Sequence, residues 1–289
     1  MSRLFKITCI LVICFLMLLG CSSREEKVEL IETNQLEQSK TDDKTEEKVR
    51  ESNEEETLDL SANFNGITGC AVLYSPSENK YSLYNKDMAE QEVSPYSTFK
   101  IISTLIGLHN DTMNYDGTQY PNSEWNENLT LQKAFQTSCI WYFHQIINSA
   151  GEQEVKKELS ELEYGNCDVS AWEGSNINPY KELNGFWLGS SLKISPYEQV
   201  GVLSKIFEGK SFYDSQNVEI LKKIMLIEDG QEKKVYGKTG SGTNGEAWFI
   251  GFTEKGQQRE YFAIYLEDSL QKERVSSSLA KEIALKIIE

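Results

Sequence analysis

Residues 235–267, VYGKTGSGTNGEAWFIGFTEKGQQREYFAIYLE, contain the pattern that decides the fold. Three runs rich in β-branched and aromatic residues, 235–239, 247–253 and 261–267, are typical of strands, and polar, glycine-containing segments separate them. Residues 254–257 are predicted to form the turn between the last two runs. Strands joined by such short connections pair antiparallel, so this stretch predicts an antiparallel sheet.

The rest of the chain adds one hairpin and several helices. Residues 68–74 and 81–84 have the composition of strands and flank a turn at 75–79. Helical patterns of apolar residues occur at 97–110, 129–149, 152–162, 196–208, 216–226 and 273–288. Strands, then helices, then strands indicate an α/β chain of the α+β type, with an antiparallel sheet flanked by helices and a helical subdomain inserted between its strands.

The N-terminus has the features of an export signal. Arg3 and Lys6 precede an apolar run at 7–19, which is shorter than the roughly 20 residues needed to cross a bilayer. The run ends in Leu-Leu-Gly-Cys, a sequence that resembles the bacterial lipoprotein box and places Cys21 at the lipidation site. This resemblance implies that residues 1–20 are removed and that a lipid anchors the protein to the outer face of the bacterial cytoplasmic membrane. An uncut signal anchor is the alternative.

Charge is distributed unevenly along the chain. The formal net charge is −16, and half of it falls within residues 22–60, which contain no aromatic residue and few apolar ones. Such a segment cannot bury enough surface to offset the entropy of ordering. Residues 21–60 are therefore predicted to form a disordered tether, and residues 61–289 the folded domain. The acidic composition argues against nucleic-acid binding, and the two histidines, His109 and His144, are too few for a multi-histidine metal site.

Three cysteines lie in the predicted domain, Cys70, Cys139 and Cys167. An odd number in an exported domain allows one disulfide at most and no dense disulfide framework. We therefore expect free, buried thiols.

Ser97 and Lys100 are the first candidates for chemistry. A serine at the start of a predicted helix and a lysine three residues later lie on one helical face, so the lysine can accept the hydroxyl proton if its own charge is suppressed. The helix N-terminus also favours an oxyanion. The spacing alone is weak evidence, because it recurs at Ser77/Lys80, Ser190/Lys193, Ser269/Lys272 and Ser278/Lys281. Only Ser97 follows a turn at Pro95 and opens a strongly apolar helix whose buried face could desolvate the lysine.

Further candidates follow along the chain, each of them weak by itself. Lys238, Thr239 and Gly240 lie on a predicted strand, whose exposed edge could pair with a substrate amide while the side chains bind a carboxylate. A strand that ends in a glycine turn is the ordinary alternative. The remaining candidates are Ser138 and Ile140 at a junction between helical stretches, the triplet Tyr164-Gly165-Asn166, and Trp187, which is ordinarily a core residue.

In chain order, these motifs resemble those of the class D, or oxacillinase-type, serine β-lactamases. The motifs that carry the resemblance are Ser97-x-x-Lys100, Ser138-x-Ile140, Tyr164-Gly165-Asn166, Trp187 and Lys238-Thr239-Gly240. The resemblance extends from about residue 62 to the C-terminus. It implies the fold that serine β-lactamases share with penicillin-binding proteins, hydrolysis of small-molecule β-lactams, and the antibiotic resistance that hydrolysis confers.

The resemblance also implies roles for individual residues. Ser97 would be the acylated nucleophile, and Lys100, carboxylated by carbon dioxide or bicarbonate, would be the general base. Such a carbamate needs a neutral lysine in an apolar pocket. Ser138 would relay a proton to the lactam nitrogen. The residues expected to support the carbamate are Trp187, Ile140 and Leu188, and neither a metal nor another cofactor is expected.

Substrate binding is expected on the strand that carries Lys238. Lys238 and Thr239 would bind the substrate carboxylate next to Gly240, and the backbone N–H groups of the nucleophile and of Ser241 would form the oxyanion hole. The family usually has an arginine for the carboxylate on the last helix, and Arg274 is the candidate here.

Three features depart from the common family pattern. Ile140 stands where valine is common, and Tyr96 precedes the nucleophile where a small residue is common. The segment from Tyr164 to Trp187 is longer than in many relatives, so we expect a longer loop over the carbamate.

Other classes of protein remain as alternatives. A penicillin sensor domain shares these motifs but does not deacylate, and such receptors carry several transmembrane spans that this sequence lacks, so hydrolysis is the expected activity. A transpeptidase usually has asparagine where Ile140 stands. A Ser-His-Asp hydrolase needs a histidine base and a G-x-S-x-G elbow, which is absent here. A surface lipoprotein without enzymatic activity would leave the order of the motifs to coincidence.

Overall fold

A computed structural model of the chain describes residues 54–112, 118–119, 128–270 and 274–289. The predicted signal, Cys21 and most of the predicted tether lie outside these residues. Within the described ranges, no helix is both long enough and apolar enough to cross a bilayer.

Strands from both ends of the described chain build one central sheet. The strands are β1 (Glu54–Thr57), β2 (Gly69–Ser75), β3 (Lys80–Tyr84), β4 (Thr118–Gln119), β5 (Asn128–Leu129), β6 (Leu226–Asp229), β7 (Lys234–Ser241), β8 (Glu246–Lys255) and β9 (Gln258–Glu267). Among the residues described, the sheet has seven strands in the order β1-β3-β2-β9-β8-β7-β6, and β4 and β5 pair separately. Neighbouring strands are antiparallel except for β1 and β3, which are parallel. The predicted antiparallel sheet is thus confirmed, apart from one edge.

Helices fill the middle of the chain and close its end. They are α1 (Ser61–Phe64), α2 (Lys86–Ala89), α3 (Lys100–His109), α4 (Leu131–Gln136), α5 (Ile140–Ala150), α6 (Glu152–Leu162), α7 (Pro196–Phe207), α8 (Ser215–Met225) and α9 (Ser277–Ile287). Two short 3₁₀ turns, Tyr96–Phe99 and Lys181–Leu183, are also present. The predicted flanking helices and helical insertion are confirmed. The stretch predicted as helical over 129–149 forms two helices, because the helical conformation is interrupted at Thr137-Ser138-Cys139.

Alternate residues of the central strands point into two different cores. Trp248 and Ile250 of β8 pack into a core that includes residues of α3, α5 and α7, whereas Phe249 of β8 and Phe262 of β9 pack with α1 and α9. Because helices cover both faces, these strands are apolar along most of their length instead of alternating with polar residues. The same burial explains why the sequence pattern at 247–253 and 261–267 predicts strands so clearly.

The folded part begins earlier than predicted. Residues 54–60 were expected to belong to the tether, but Glu54–Thr57 forms β1 at the edge of the sheet. Glu55 pairs with Lys86 and Glu56 with Lys80. All four residues of β1 are exposed, so the strand has no buried face and no apolar alternation from which to predict it.

Two other boundaries also differ from the prediction. The helix predicted at 216–226 ends at Met225, because Leu226 begins β6 and pairs with Tyr236 of β7. The closing helix begins at Ser277 instead of residue 273, since Ser276 caps it by accepting a hydrogen bond from Leu279 N at 3.1 Å.

None of the three cysteines of the domain is part of a disulfide, and the prediction that their thiols are buried holds only for Cys70. Cys70 is buried, whereas Cys139 and Cys167 are partly exposed.

Candidate active site

Ser97 lies in the short 3₁₀ turn that leads into α3. It is partly exposed, whereas every other residue from Ser94 to Lys100 is buried. Three hydrogen bonds hold this turn: Trp248 Nε1 donates to Ser94 O (3.0 Å), Tyr96 N to Trp187 O (3.0 Å) and Gln199 Nε2 to Thr98 Oγ1 (2.9 Å). Such bonds in the interior fix the backbone, so the one hydroxyl that reaches the surface of this segment has a defined position.

Lys100, the first residue of α3, is fully buried, and its Nζ lies 2.8 Å from Ser97 Oγ. Burial lowers the pKa of Lys100 well below its usual value, and the positive charge of Lys238 lowers it further. The amine also lies 5.6 Å from the centre of the Phe143 ring. A neutral amine at this distance can accept the proton of the Ser97 hydroxyl, which a protonated amine cannot do.

Trp187 has an unused hydrogen-bond donor and packs near Phe99, the residue before Lys100. Its side chain is 1% exposed, and its ring centre lies 5.6 Å from that of Phe99, next to Lys100 in the chain. Among the described residues, its buried Nε1–H has no hydrogen-bond partner. A buried donor without a partner is costly and uncommon, so this position suits an anionic acceptor on the lysine side chain. The residues present therefore fit a carboxylated Lys100.

Ser138 and Lys238 meet across the entrance to the site. Ser138 adopts a left-handed backbone (φ +56°) in the break between α4 and α5, and Lys238 Nζ of β7 donates a hydrogen bond to its Oγ at 3.1 Å. Lys238 also donates to the Thr239 carbonyl oxygen at 3.0 Å. Burial lowers the pKa of Lys238 to about 8. Lys238 thus remains mostly protonated at neutral pH and holds Ser138 in place.

The strand that carries Lys238 has an open edge. β6 pairs only with residues 234–236 of β7, so among the described strands the other edge of residues 237–241 has no partner. A Cβ atom added at Gly240 would lie 3.2 Å from Pro95 O, which shows that the strand packs directly against the nucleophile turn. Ser241 is exposed at the end of the strand. This edge can therefore pair with an extended ligand beside Ser97.

Tyr164, Gly165 and Asn166 fasten the loop that contains Trp187. Gly165 has φ +52°, and a Cβ there would overlap the Lys193 carbonyl oxygen, so only glycine fits. Asn166 Oδ1 accepts hydrogen bonds from the backbone N–H groups of Asp168 and Lys193, each at 3.0 Å. Its Nδ2 donates to Ser191 O at 2.9 Å. The triplet thus closes the loop at its base.

Ile140 and Leu188 are partly buried and line a cavity of about 350 Å³ that also includes Tyr96, Ser241 and Lys193. The cavity extends from the nucleophile turn towards the loop that contains Trp187. The two apolar residues predicted to flank Lys100 therefore line a space next to the candidate nucleophile.

The predicted carboxylate-binding arginine is not on the last helix. Arg274 precedes the helix cap and is exposed, so its role stays a prediction. Lys281 of α9 instead lines a cavity of about 200 Å³ together with Lys238 and Thr239. Lys281 was not among the predicted residues, because the family pattern has an arginine for this role and Arg274 is the arginine nearest the last helix. With the cap at Ser276, Lys281 is the basic residue that directly follows the buried Ala280.

The comparisons with known proteins agree with this geometry. Residues 42–289 match the model of the penicillin-binding protein transpeptidase domain. The regulatory protein BlaR1 of Bacillus licheniformis is 34% identical over 77% of this chain, although the chain covers only 36% of the length of BlaR1. The probable β-lactamase YbxI of Bacillus subtilis is 32% identical over 73% of this chain and 79% of its own length. A solved class D β-lactamase from Bacillus subtilis has a TM-score of 0.67 and 30% identity, covering 80% of this chain and 94% of that one.

The motif set, the fold and the contact between the partly exposed Ser97 and the buried Lys100 thus lead to the same group of proteins. The relatives include a probable β-lactamase and a regulatory protein, so the match identifies the family and not the activity. The chain belongs to the penicillin-binding protein transpeptidase family, within the group formed by the class D serine β-lactamases and the related sensor domains.

Proposed function

We propose that this chain hydrolyses β-lactams through an acyl-enzyme on Ser97. The observation that carries the proposal is the 2.8 Å contact between the partly exposed Ser97 hydroxyl and the fully buried Lys100 amine, whose pKa is lowered. An activated serine next to an open strand edge is what acyl transfer from a cyclic amide requires.

Each residue of the site has a separate role in the proposed acylation step. Ser97 Oγ attacks the lactam carbonyl carbon and loses its proton, and the backbone N–H groups of Ser97 and Ser241 stabilise the negative charge that forms on the carbonyl oxygen. As the C–N bond breaks, the nitrogen takes a proton from Ser138. Lys238, hydrogen-bonded to Ser138 Oγ, can resupply that proton.

Lys100 is proposed to act in its carboxylated form. When the neutral amine carries a carboxyl group, the resulting carbamate supplies a general base for both formation and hydrolysis of the acyl-enzyme. The Trp187 indole N–H would hold it, because this buried donor otherwise lacks an acceptor among the described residues. The ring of Phe143 next to the Lys100 amine keeps the surroundings apolar, which disfavours reprotonation of the lysine.

Ile140 favours hydrolysis over long-lived acylation. Its side chain cannot accept or donate hydrogen bonds, so it cannot occupy the general base on Lys100 in place of the attacking water. Ile140 and Leu188 are also only partly buried, and they border the cavity next to Ser97. A base that remains free and a space open to water are the two requirements for deacylation.

A single experiment separates hydrolysis from sensing. The purified full-length chain is mixed with an excess of nitrocefin, with and without bicarbonate, and the ring-opened product is counted while intact mass follows the acyl-enzyme. Many turnovers per chain, with a higher rate in bicarbonate, are expected. A single acyl group per chain that persists for hours without further turnover would show a sensor instead. The absence of any adduct would contradict acylation of Ser97.

The substrate carboxylate is proposed to bind at Lys238, Thr239 and Lys281. Lys238 should confer a pH dependence, because its pKa of about 8 makes it lose its charge as the pH rises through that value. At saturating bicarbonate, the second-order rate constant of acylation by an anionic penicillin should fall by up to about tenfold per pH unit above pH 8. Stopped-flow measurement from pH 6.5 to 9.5 tests this expectation.

Lys238→Arg is the matched variant for the pH profile. Arginine stays protonated throughout this range, so the decline above pH 8 should disappear whatever the absolute activity of the variant. An identical decline in both proteins, or a flat profile in the wild type, would contradict the role assigned to Lys238.

Cys21 is proposed to carry a lipid that anchors the protein to the outer face of the cytoplasmic membrane, as its sequence context predicts. Radiolabelled palmitate should be incorporated into the wild-type chain but not into Cys21→Ala when both are expressed in a bacterial host. Absence of label from the wild type would contradict the lipoprotein assignment.

A further inference from the structure

Tyr96, directly before the nucleophile, has an unusual backbone. Its φ of +49° lies in the left-handed region that favours glycine, and the residue is only 7% exposed. A conformation of this kind persists when the surrounding structure holds it in place. The hydrogen bonds and packing contacts of Tyr96 therefore show which part of the structure holds this backbone conformation in place.

The Tyr96 side chain crosses from the nucleophile turn to the turn between β7 and β8. Its hydroxyl donates a hydrogen bond to Glu246 Oε1 at 3.0 Å, and Glu246 is the first residue of β8. Burial raises the pKa of Tyr96, and the negative charge of Glu246 raises it further, so the hydroxyl keeps its proton and remains a donor.

Glu246 in turn organises the turn that follows the open strand edge. Its Oε2 accepts from Asn244 N at 2.8 Å, and its backbone oxygen accepts from Gly242 N at 2.9 Å. Gly242 directly follows Ser241, the residue whose N–H is proposed for the oxyanion hole. A Cβ at Gly242 would lie 2.5 Å from Tyr96 Cζ, so the ring packs directly against this backbone.

We propose that Tyr96 and Glu246 form a clamp that fixes the Ser241 N–H relative to Ser97 for stabilisation of the oxyanion. Both are positioning residues, because they act through the backbone of the β7–β8 turn. The inference rests on the proposed acylation of Ser97. Its consequence is that the clamp accelerates acylation without strengthening the initial non-covalent complex, since the oxyanion forms only after attack.

A double-mutant cycle tests the clamp in the full-length chain, with a fluorescent penicillin as the probe. Tyr96→Phe removes only the hydroxyl, and Glu246→Ala removes its acceptor. Each single variant should lower the rate constant of acylation about tenfold while leaving the dissociation constant of the initial complex unchanged. The double variant should lose no more than either single variant, because both changes break the same connection.

Two further variants show whether the effect is specific. Glu246→Gln can donate its amide N–H to Tyr96 and accept from Asn244 N, so it should recover most of the acylation rate. Tyr261→Phe removes another partly buried tyrosine–glutamate hydrogen bond, which is 2.6 Å long and goes to Glu208. Tyr261 lies about 20 Å along β9 from the strand end that pairs with Glu246. This control should acylate at the wild-type rate.

The outcomes distinguish the two levels of inference. If the wild type is not labelled, the proposed acylation of Ser97 fails. If the wild type is labelled but the two single changes are additive, or leave the acylation rate unchanged, the clamp is refuted while acylation stands. Circular dichroism and the midpoint of thermal unfolding are measured for each variant. If Tyr261→Phe slows acylation and lowers the unfolding midpoint as much as Tyr96→Phe does, the slower acylation reflects a general loss of stability, and the clamp is refuted.

Discussion

Ser97→Ala is expected to abolish covalent labelling by any β-lactam. The change removes the partly exposed hydroxyl that lies 2.8 Å from Lys100 Nζ, and no atom of the alanine side chain can replace it as a nucleophile. Loss of a catalytic nucleophile lowers turnover by about 10⁴-fold or more. Intact mass after incubation with benzylpenicillin should show the unmodified chain only, and nitrocefin turnover should fall to the background rate.

Ser77→Ala is the matched control for this change. Ser77 also precedes a lysine by three residues, but it lies in the turn between β2 and β3. The Ser77→Ala variant should be acylated by benzylpenicillin at the wild-type rate. An adduct that forms on Ser97→Ala at the wild-type rate would show that another residue is the nucleophile and would overturn the assignment of the site.

Lys100→Ala is expected to lower the rate of acylation by about 10³-fold or more, because general-base catalysis alone contributes about 10² to 10⁴. The variant should also lose the dependence on bicarbonate. Carbon-13 NMR in labelled bicarbonate provides a second readout, since the wild type should show a carbamate signal that the variant lacks. Unfolding followed by circular dichroism determines whether the cavity left by the lysine has disrupted the fold.

Lys80→Ala removes the lysine of the Ser77/Lys80 pair and serves as the control. Lys80 is partly exposed and pairs with Glu56, so its loss should change neither acylation nor the carbamate signal. A carbamate signal that persists in Lys100→Ala would place carboxylation on another lysine. Equal activity of wild type with and without carbon dioxide would show that the unmodified amine suffices.

The parts of this structure that the sequence predicts are those with a local signal. Strands β8 and β9 are apolar because both of their faces are buried, and Ser97 and Lys100 share one helical face because of their spacing. The ordered motifs then relate distant segments to a known family. As predicted, Ser97 lies next to Lys100, and Lys238 and Thr239 lie on an open strand edge. The hydrogen bond from Lys238 to Ser138 is an addition that the sequence does not predict.

The parts that the sequence does not predict depend on contacts between distant residues. β1 has no buried face, so only its pairing with β3 reveals it. Tyr96 is a departure from a family pattern in the sequence, and its partner Glu246 lies 150 positions away. Lys281 lines a cavity with Lys238 and Thr239 because the fold brings α9 next to β7. Cap geometry and long-range hydrogen bonds determine these features, and local periodicity carries no information about them.

The closure of the loop by Asn166 has a consequence for how this site can diversify. Asn166 ties the two ends of the loop together at Asp168, Ser191 and Lys193, so the segment between them begins and ends at fixed points. The entropic cost of closing a flexible loop rises by only about 0.6 kcal/mol for each doubling of its length. An insertion at the exposed Ile177 should therefore cost little stability, because Asn166 still holds the two ends of the loop in place.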